Sequence, residues 1–215
     1  MNQIKIDVWS DVACPFCYLG KAKLEQALRK LNVDDQSEVE WHSFQLDPTF
    51  PKGTSVPSTE HLAQRKGIPL ASIESAQQRL TEQGKQYGID FQFDQAVNFN
   101  TLDVHRLLHW SKTFQKADAL KTALFKAHFT DGLDLSKSET LKQIVVSVGL
   151  DSEAALKVLN SQHYSAEVEQ DIATAQQIGI RGVPFFVFNK KTALSGAQPD
   201  SVFEEVIQQS MIAIP

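Results

Sequence analysis

Cysteine is scarce in this chain of 215 residues: there are two, Cys14 and Cys17, three positions apart. So small a thiol inventory excludes a secreted scaffold stapled by disulfides, which spreads four or more cysteines along its length. It also excludes a four-cysteine zinc site. Long apolar runs are missing too. None approaches the roughly 18 residues needed to cross a bilayer, so no membrane partner is expected. Positive charge is thin, with 21 Lys and Arg against 26 Asp and Glu for a formal charge of −5, and no dense basic cluster. A nucleic-acid partner is therefore not expected. The opening residues lack the basic segment and apolar stretch of an export signal, from which a cytoplasmic location is expected. Internal repeats and low-complexity tracts are absent as well.

What is present is ordinary for a globular chain, with 42% hydrophobic and 22% charged residues. A chain this long buries a core without staples. Residues 4–9 alternate apolar and polar and predict a strand. Pro15 suits the first turn of a helix, where its missing N–H is no loss. Leu24, Ala27, Leu28 and Leu31 then follow at helical spacing. Residues 39–46 predict a second strand, which completes a βαβ unit with the cysteine pair opening its helix. The stretch 47–59 holds Pro48, Pro51, Gly53 and Pro57 and predicts a linker.

Beyond it the helical pattern dominates, over 72–87, 101–114, 116–129, 137–148, 152–159 and 166–178, with 89–93 as a short extended piece. Strand character returns at Pro184-Phe185-Phe186-Val187-Phe188, which is apolar, aromatic and β-branched. Residues 192–195 predict its hairpin partner and 200–211 a closing helix. The predicted class is α/β: a thioredoxin fold, βαβ plus ββα, interrupted by a large α-helical insertion domain. The predicted boundaries are 1–57 and 180–215 for the two thioredoxin halves and 58–179 for the insertion.

A cysteine at a helix start faces unsatisfied N–H groups and the positive end of the helix dipole, so Cys14 is expected to have a depressed pKa. Three-residue spacing lets Cys17 close a disulfide with it. The pair then reads as a redox couple in which Cys14 attacks and Cys17 resolves. Phe16 between them offers an apolar surface and no charge, so a less extreme oxidant is expected than with a histidine at that place. A two-Cys two-His metal site with His105 and His109 is the weaker reading, because a four-apart histidine pair usually only packs or is solvated, and no metal is assigned.

Val183-Pro184 is the other candidate position. An X–Pro bond has a small trans preference, and a cis bond here would turn the Val183 backbone outward to pair with an extended substrate segment. The alternative is that Pro184 merely begins a strand.

These residues together resemble a known family. Trp9-Ser10-Asp11-Val12-Ala13-Cys14-Pro15-Phe16-Cys17-Tyr18-Leu19-Gly20 resembles the active-site opening of DsbA-like oxidoreductases. The stretches from Asn100 to Trp110, from Gly179 to Phe188 and from Ser195 to Gln198 resemble the FrnE-like subgroup, so the match spans nearly the whole chain. The resemblance implies the thioredoxin fold with its helical insertion, a cis-proline at Pro184 and Cys14 as the attacking thiol. Relatives include 2-hydroxychromene-2-carboxylate isomerases and kappa-class glutathione transferases, which use glutathione and carry Ser where this chain has Cys14.

The function expected is that of a protein-disulfide oxidoreductase or isomerase, with Cys14, Cys17 and Pro184 as catalytic residues. The alternative is a glutathione-dependent isomerase or transferase acting on a small aromatic molecule. Trp9, Phe16, Val183, Asn100, His105 and Arg106 are expected to contact substrate. For Asn100 the competing reading is a helix cap, with Leu102, Leu107, Leu108 and Trp110 as core. Asp11 would oppose a nearby thiolate and so is read as a candidate for proton transfer. No tightly bound cofactor is expected. Glutathione could serve as reductant or co-substrate, and the partners would be protein thiols and disulfides or a small-molecule thiol. The chain would act as a monomer or a homodimer.

Overall fold

The structure is a computed structural model that describes residues 3–212. Its strands are β1 (Ile4–Ser10), β2 (Ser37–Ser43), β3 (Ser55–Pro57), β4 (Val97–Phe99), β5 (Phe185–Phe188) and β6 (Thr192–Ser195). Its helices are α1 (Pro15–Lys30), α2 (Ser58–Lys66), α3 (Leu70–Lys85), α4 (Leu102–Lys112), α5 (Ala117–Phe129), α6 (Ser138–Ser147), α7 (Ser152–Leu159), α8 (Ser165–Gln177) and α9 (Asp200–Ile212). None of them is long and apolar enough to cross a membrane.

The described residues form two compact units. One runs up to Leu46 and resumes at Glu169; the other is Asp47–Val168. The first holds a four-stranded sheet in the order β2-β1-β5-β6. β1 pairs parallel with β2 and antiparallel with β5, and β5 pairs antiparallel with β6. This is the thioredoxin arrangement that the βαβ and ββα patterns predict. β1 is interior, so both of its faces must be covered. On one face Ile4, Ile6 and Val8 pack with Leu24 and Leu28 of α1, Phe186 and Phe188 of β5, and Phe203 and Ile207 of α9. Fully burying each such side chain is worth about 1.5–3 kcal/mol. On the other face Trp9 packs with Ala175 of α8, Ile180 and the half-buried Val183, Phe185 and Val187.

The unit boundaries differ from the predicted 57/58 and 179/180. The proline-rich stretch after Leu46 is not a free linker: within it β3 pairs with β4, with Val56 opposite Asn98. The C-terminal part of α8 belongs with the sheet, because Ala175 and Asp171 engage Trp9. A pattern of helical spacing says that a helix exists and not which core receives it. Residues 89–93 form no strand. Phe91 there turns inward against Phe129, ring centroids 5.7 Å apart.

In the second unit Leu107 of α4 and Leu120, Leu124 and Phe125 of α5 are fully buried, with Val145 of α6 and Ala155 of α7. Arg106 is buried with them, 1% exposed. Its guanidinium donates to the carbonyls of Val158, of Ser161 at 2.6 Å and of His163 at 2.8 Å, and to the Asp103 carboxylate at 2.9 Å. Those carbonyls belong to the end of α7 and the turn after it, so one planar, multi-donor cation closes that turn.

Candidate active site

The chain leaves β1 at Ser10 and turns once before α1. The Cys14 N–H donates to the Asp11 carbonyl at 3.1 Å. Cys14 is the N-cap of α1, with extended backbone (φ −100°, ψ 110°), and Pro15 opens the helix. The Cys14 carbonyl accepts the Cys17 N–H at 3.0 Å, which sets Cys17 one turn in. Both cysteines are free thiols and both are buried. Phe16 between them is 50% exposed, the apolar surface that the sequence predicts.

The Val183–Pro184 peptide is cis. The Cys14 thiol donates to the Val183 carbonyl at 3.5 Å, so the loop ahead of β5 and the start of α1 meet at the Cys14 sulfur. Gly20 makes that approach feasible. A Cβ there would stand 3.0 Å from Pro184 Cγ and 3.2 Å from Phe186 Cζ, tighter than ordinary packing. The Gly196 N–H donates to the Pro184 carbonyl at 2.8 Å and anchors the loop from its other side.

Trp9, expected to touch substrate, is engaged within the fold and packs in the cluster that Val183 borders. It is 5% exposed, its ring stacks on His42 at 4.5 Å, and its indole N–H donates to the Asp171 carbonyl at 3.1 Å. It buttresses the strand that delivers Cys14. Sequence reasoning missed its neighbours. The His42 ring nitrogens face Asp171 Oδ1 at 2.8 Å and Asp7 Oδ1 at 2.9 Å, and Asp171 Oδ2 accepts the Ser43 N–H at 2.7 Å. The available signal was Asp7 within an interior strand, since a carboxylate placed there needs a partner.

His105 and Arg106 were also expected to contact substrate. Both lie in the helical unit and both are buried, with Arg106 engaged as described. Asn100 acts as a local tie: its carboxamide oxygen accepts the Leu102 N–H at 3.0 Å and its nitrogen donates to the Phe50 carbonyl at 2.6 Å. These bonds hold the start of α4 locally, while its N-cap, Thr101, makes no side-chain cap.

The Cys14 thiol does not have the depressed pKa expected of a helix start. The hydrogen bond it shares with Cys17 pushes it up, followed by burial and by the charge that Cys17 would carry; the Asp11 charge adds a smaller push, and only a backbone hydrogen bond with Cys17 opposes them. The sign of the consequence follows. Below an ordinary thiol pKa of about 8.5, folded and unfolded chains both hold the Cys14 proton. Above it the unfolded chain releases the proton while the folded one keeps it, so rising pH favours unfolding. The reduced protein is expected to lose stability as pH rises past that value, in denaturant titrations, more steeply than Cys14→Ser. Equal slopes in the two proteins would assign the loss to other groups.

Four similarities to known proteins accompany this geometry. A family model described as a DSBA-like thioredoxin domain matches residues 5–208. The uncharacterized Bacillus subtilis protein YwbO is 28% identical over 209 residues, covering 95% of this chain and 96% of YwbO. The crystal structure of a probable DsbA oxidoreductase from Streptomyces coelicolor superimposes with a TM-score of 0.94 at 34% identity, covering 98% of this chain and 91% of that one. A 2-hydroxychromene-2-carboxylate isomerase shares the fold, with a TM-score of 0.75 at 17% identity and 95% of each chain covered.

Proposed function

We propose that this chain, which belongs to the DsbA-like thioredoxin family, is a thiol–disulfide oxidoreductase whose working group is the Cys14–Cys17 dithiol and whose substrate-facing backbone is the Val183–Pro184 loop. The observation that carries this reading is the meeting of Cys14 with the Val183 carbonyl at the N-terminus of α1.

In the reducing direction the Cys14 thiolate attacks one sulfur of a substrate disulfide. A Cys14–substrate disulfide forms, and the first substrate sulfur leaves as a thiolate that takes up a proton. Cys17 then loses its proton and attacks the Cys14 sulfur. The Cys14–Cys17 disulfide forms, the second substrate thiol leaves, and two electrons have passed from protein to substrate. The reverse sequence oxidises a dithiol. Phe16, exposed beside Cys14, supplies apolar contact to the segment flanking the substrate sulfur.

The direction follows from the thiol. A strong oxidant of this kind owes its potential to a stabilised reduced form. The Cys17 hydrogen bond and burial keep Cys14 in its thiol form, so the thiolate stabilisation that makes a strong oxidant is missing, and a reducing role is the one proposed. That role suits a cytoplasmic location, where the thiol pools return the pair to the dithiol, with glutathione or protein thiols as partners.

The test is the reduction potential, measured by equilibration in graded glutathione and dithiothreitol buffers with trapping of free thiols. A single two-electron transition nearer to about −270 mV than to about −120 mV is expected. If no disulfide forms between the two sulfurs, the dithiol reading is wrong. The reading as a glutathione-dependent isomerase or transferase then takes its place, supported by the fold shared with the 2-hydroxychromene-2-carboxylate isomerase.

A further inference from the structure

The segment Ser195-Gly196-Ala197-Gln198 takes no part in the mechanism above, and neither does Lys23 of α1, a cation only 4% exposed. The fold brings the two together. The Lys23 ammonium donates to the Gln198 carbonyl at 3.0 Å and lies 3.7 Å from Asp200 Oδ1 at the start of α9. Gln198 Nε2 donates to the Ser195 carbonyl at 2.8 Å, which closes the turn on itself. Gly196 inside the turn has φ +80°, a conformation that glycine adopts at little cost. Its N–H donates to the Pro184 carbonyl at 2.8 Å, and the preceding carbonyl, that of Val183, receives the Cys14 thiol. A run of contacts therefore leads from the buried ammonium to the backbone beside Cys14. The same helix supports that backbone twice, because Gly20, three residues before Lys23, lies against the Pro184 ring.

An ammonium gives up its hydration when it is buried, and it is tolerated only where acceptors replace the water. An apolar side chain at position 23 would avoid that cost. What the lysine adds is a charged donor, whose hydrogen bond is shorter and stronger than a neutral one. Here that donor is aimed at the turn that carries Gly196.

We propose that Lys23 is a positioning residue for peptide substrates: through Gln198 it braces the Ser195–Gln198 turn, and the turn, through Gly196, holds the Val183–Pro184 backbone where an extended segment flanking the substrate disulfide pairs with it. The inference rests on the dithiol reading and deepens it by naming what fixes the substrate-facing backbone. Pairing of this kind is made by main-chain hydrogen bonds, which weaken steeply when donor and acceptor are misaligned. A loosened brace therefore costs a peptide its alignment with Cys14 and costs a small reagent nothing.

Lys23→Met keeps the length of the side chain and removes the ammonium, and three readouts follow its effect. Amide hydrogen exchange at Gly196, followed by NMR, is expected to run about tenfold faster than in the parent protein. The second-order rate constant toward a fluorescent peptide disulfide is expected to fall about tenfold. Alkylation of Cys14 by iodoacetamide, measured in a Cys17→Ala background, is expected to keep the parent rate, because that reagent needs no backbone partner. Gln198→Ala, at an exposed position, removes only the Nε2 bond to Ser195 and is expected to move the first two readouts the same way by a smaller factor. It supplies the test should Lys23→Met fold poorly.

Parent-like exchange at Gly196, or a parent-like rate with the peptide, overturns the inference in whichever variant folds. An equal fall in the iodoacetamide rate overturns it too, because that result assigns the loss to the thiol. The dithiol reading fails separately, if the parent protein forms no Cys14–Cys17 disulfide. Exchange at Gly196 still reports the brace in that event.

Discussion

Cys14→Ser is expected to reduce disulfide exchange, assayed on a fluorescent peptide disulfide, to the rate of the buffer alone. A serine hydroxyl is a poor nucleophile toward sulfur and forms no mixed disulfide, and Cys17 lies one turn further into α1 and is more buried than Cys14. Cys17→Ala is expected to fail at a different step. Attack by Cys14 still occurs, but nothing resolves its product, so a covalent adduct accumulates. Mass spectrometry would find the adduct on Cys14, and dithiothreitol would release it. The pair of variants therefore separates attack from resolution. Full exchange activity in Cys14→Ser would end the proposed mechanism. Glutathione-dependent turnover of a small aromatic substrate that survives Cys17→Ala would move the assignment to the isomerase or transferase reading.

The second large effect is expected at a residue far from this chemistry in sequence. Arg106→Ala is expected to destabilise the protein by about 3–5 kcal/mol, the cost typical of removing one partner from a buried charged network. The carbonyls of Val158, Ser161 and His163 and the Asp103 carboxylate all lose a donor together. In a chain of this size such a loss corresponds to a fall of about 10 °C in the unfolding midpoint. Arg106→Lys is expected to recover little, because a single ammonium cannot spread its donors over acceptors that surround a planar guanidinium. Denaturant titration and limited proteolysis around the turn after α7 would measure both variants. A loss below about 1 kcal/mol for the alanine variant would mean that water replaces the guanidinium at those carbonyls.

His42 illustrates a third kind of residue, polar and unmarked by any sequence pattern. It sits opposite Trp9 in the parallel pairing of β1 with β2, and its two nitrogens face carboxylates from β1 and α8. Asp7, His42 and Asp171 are separated by tens of residues along the chain. Their grouping exists only because β1 and β2 pair in this register and α8 returns to cover the same face.

The division between what is local and what is tertiary runs through the site itself. Alternation along β1, helical spacing after Pro15, the aromatic run of β5 and the three-residue separation of Cys14 and Cys17 are local features. Each is expressed by residues within a few positions of one another, so the sequence by itself determined the thioredoxin halves, the inserted helices other than α2 (Ser58–Lys66) and the identity of the two thiols. The partners of polar side chains are not local. Trp9 and Arg106 look the same in sequence whether they face a ligand or an interior carbonyl, and the fold decided that they serve packing and turn closure. The Cys14 thiol makes the same point. Its place at a helix start argues for easy ionisation, but the burial, the Cys17 hydrogen bond and the Asp11 charge that outweigh the helix start arise when the turn closes against its neighbours. Backbone preferences act over a few residues, whereas desolvation and charge act through space, and only the folded chain states which groups share that space.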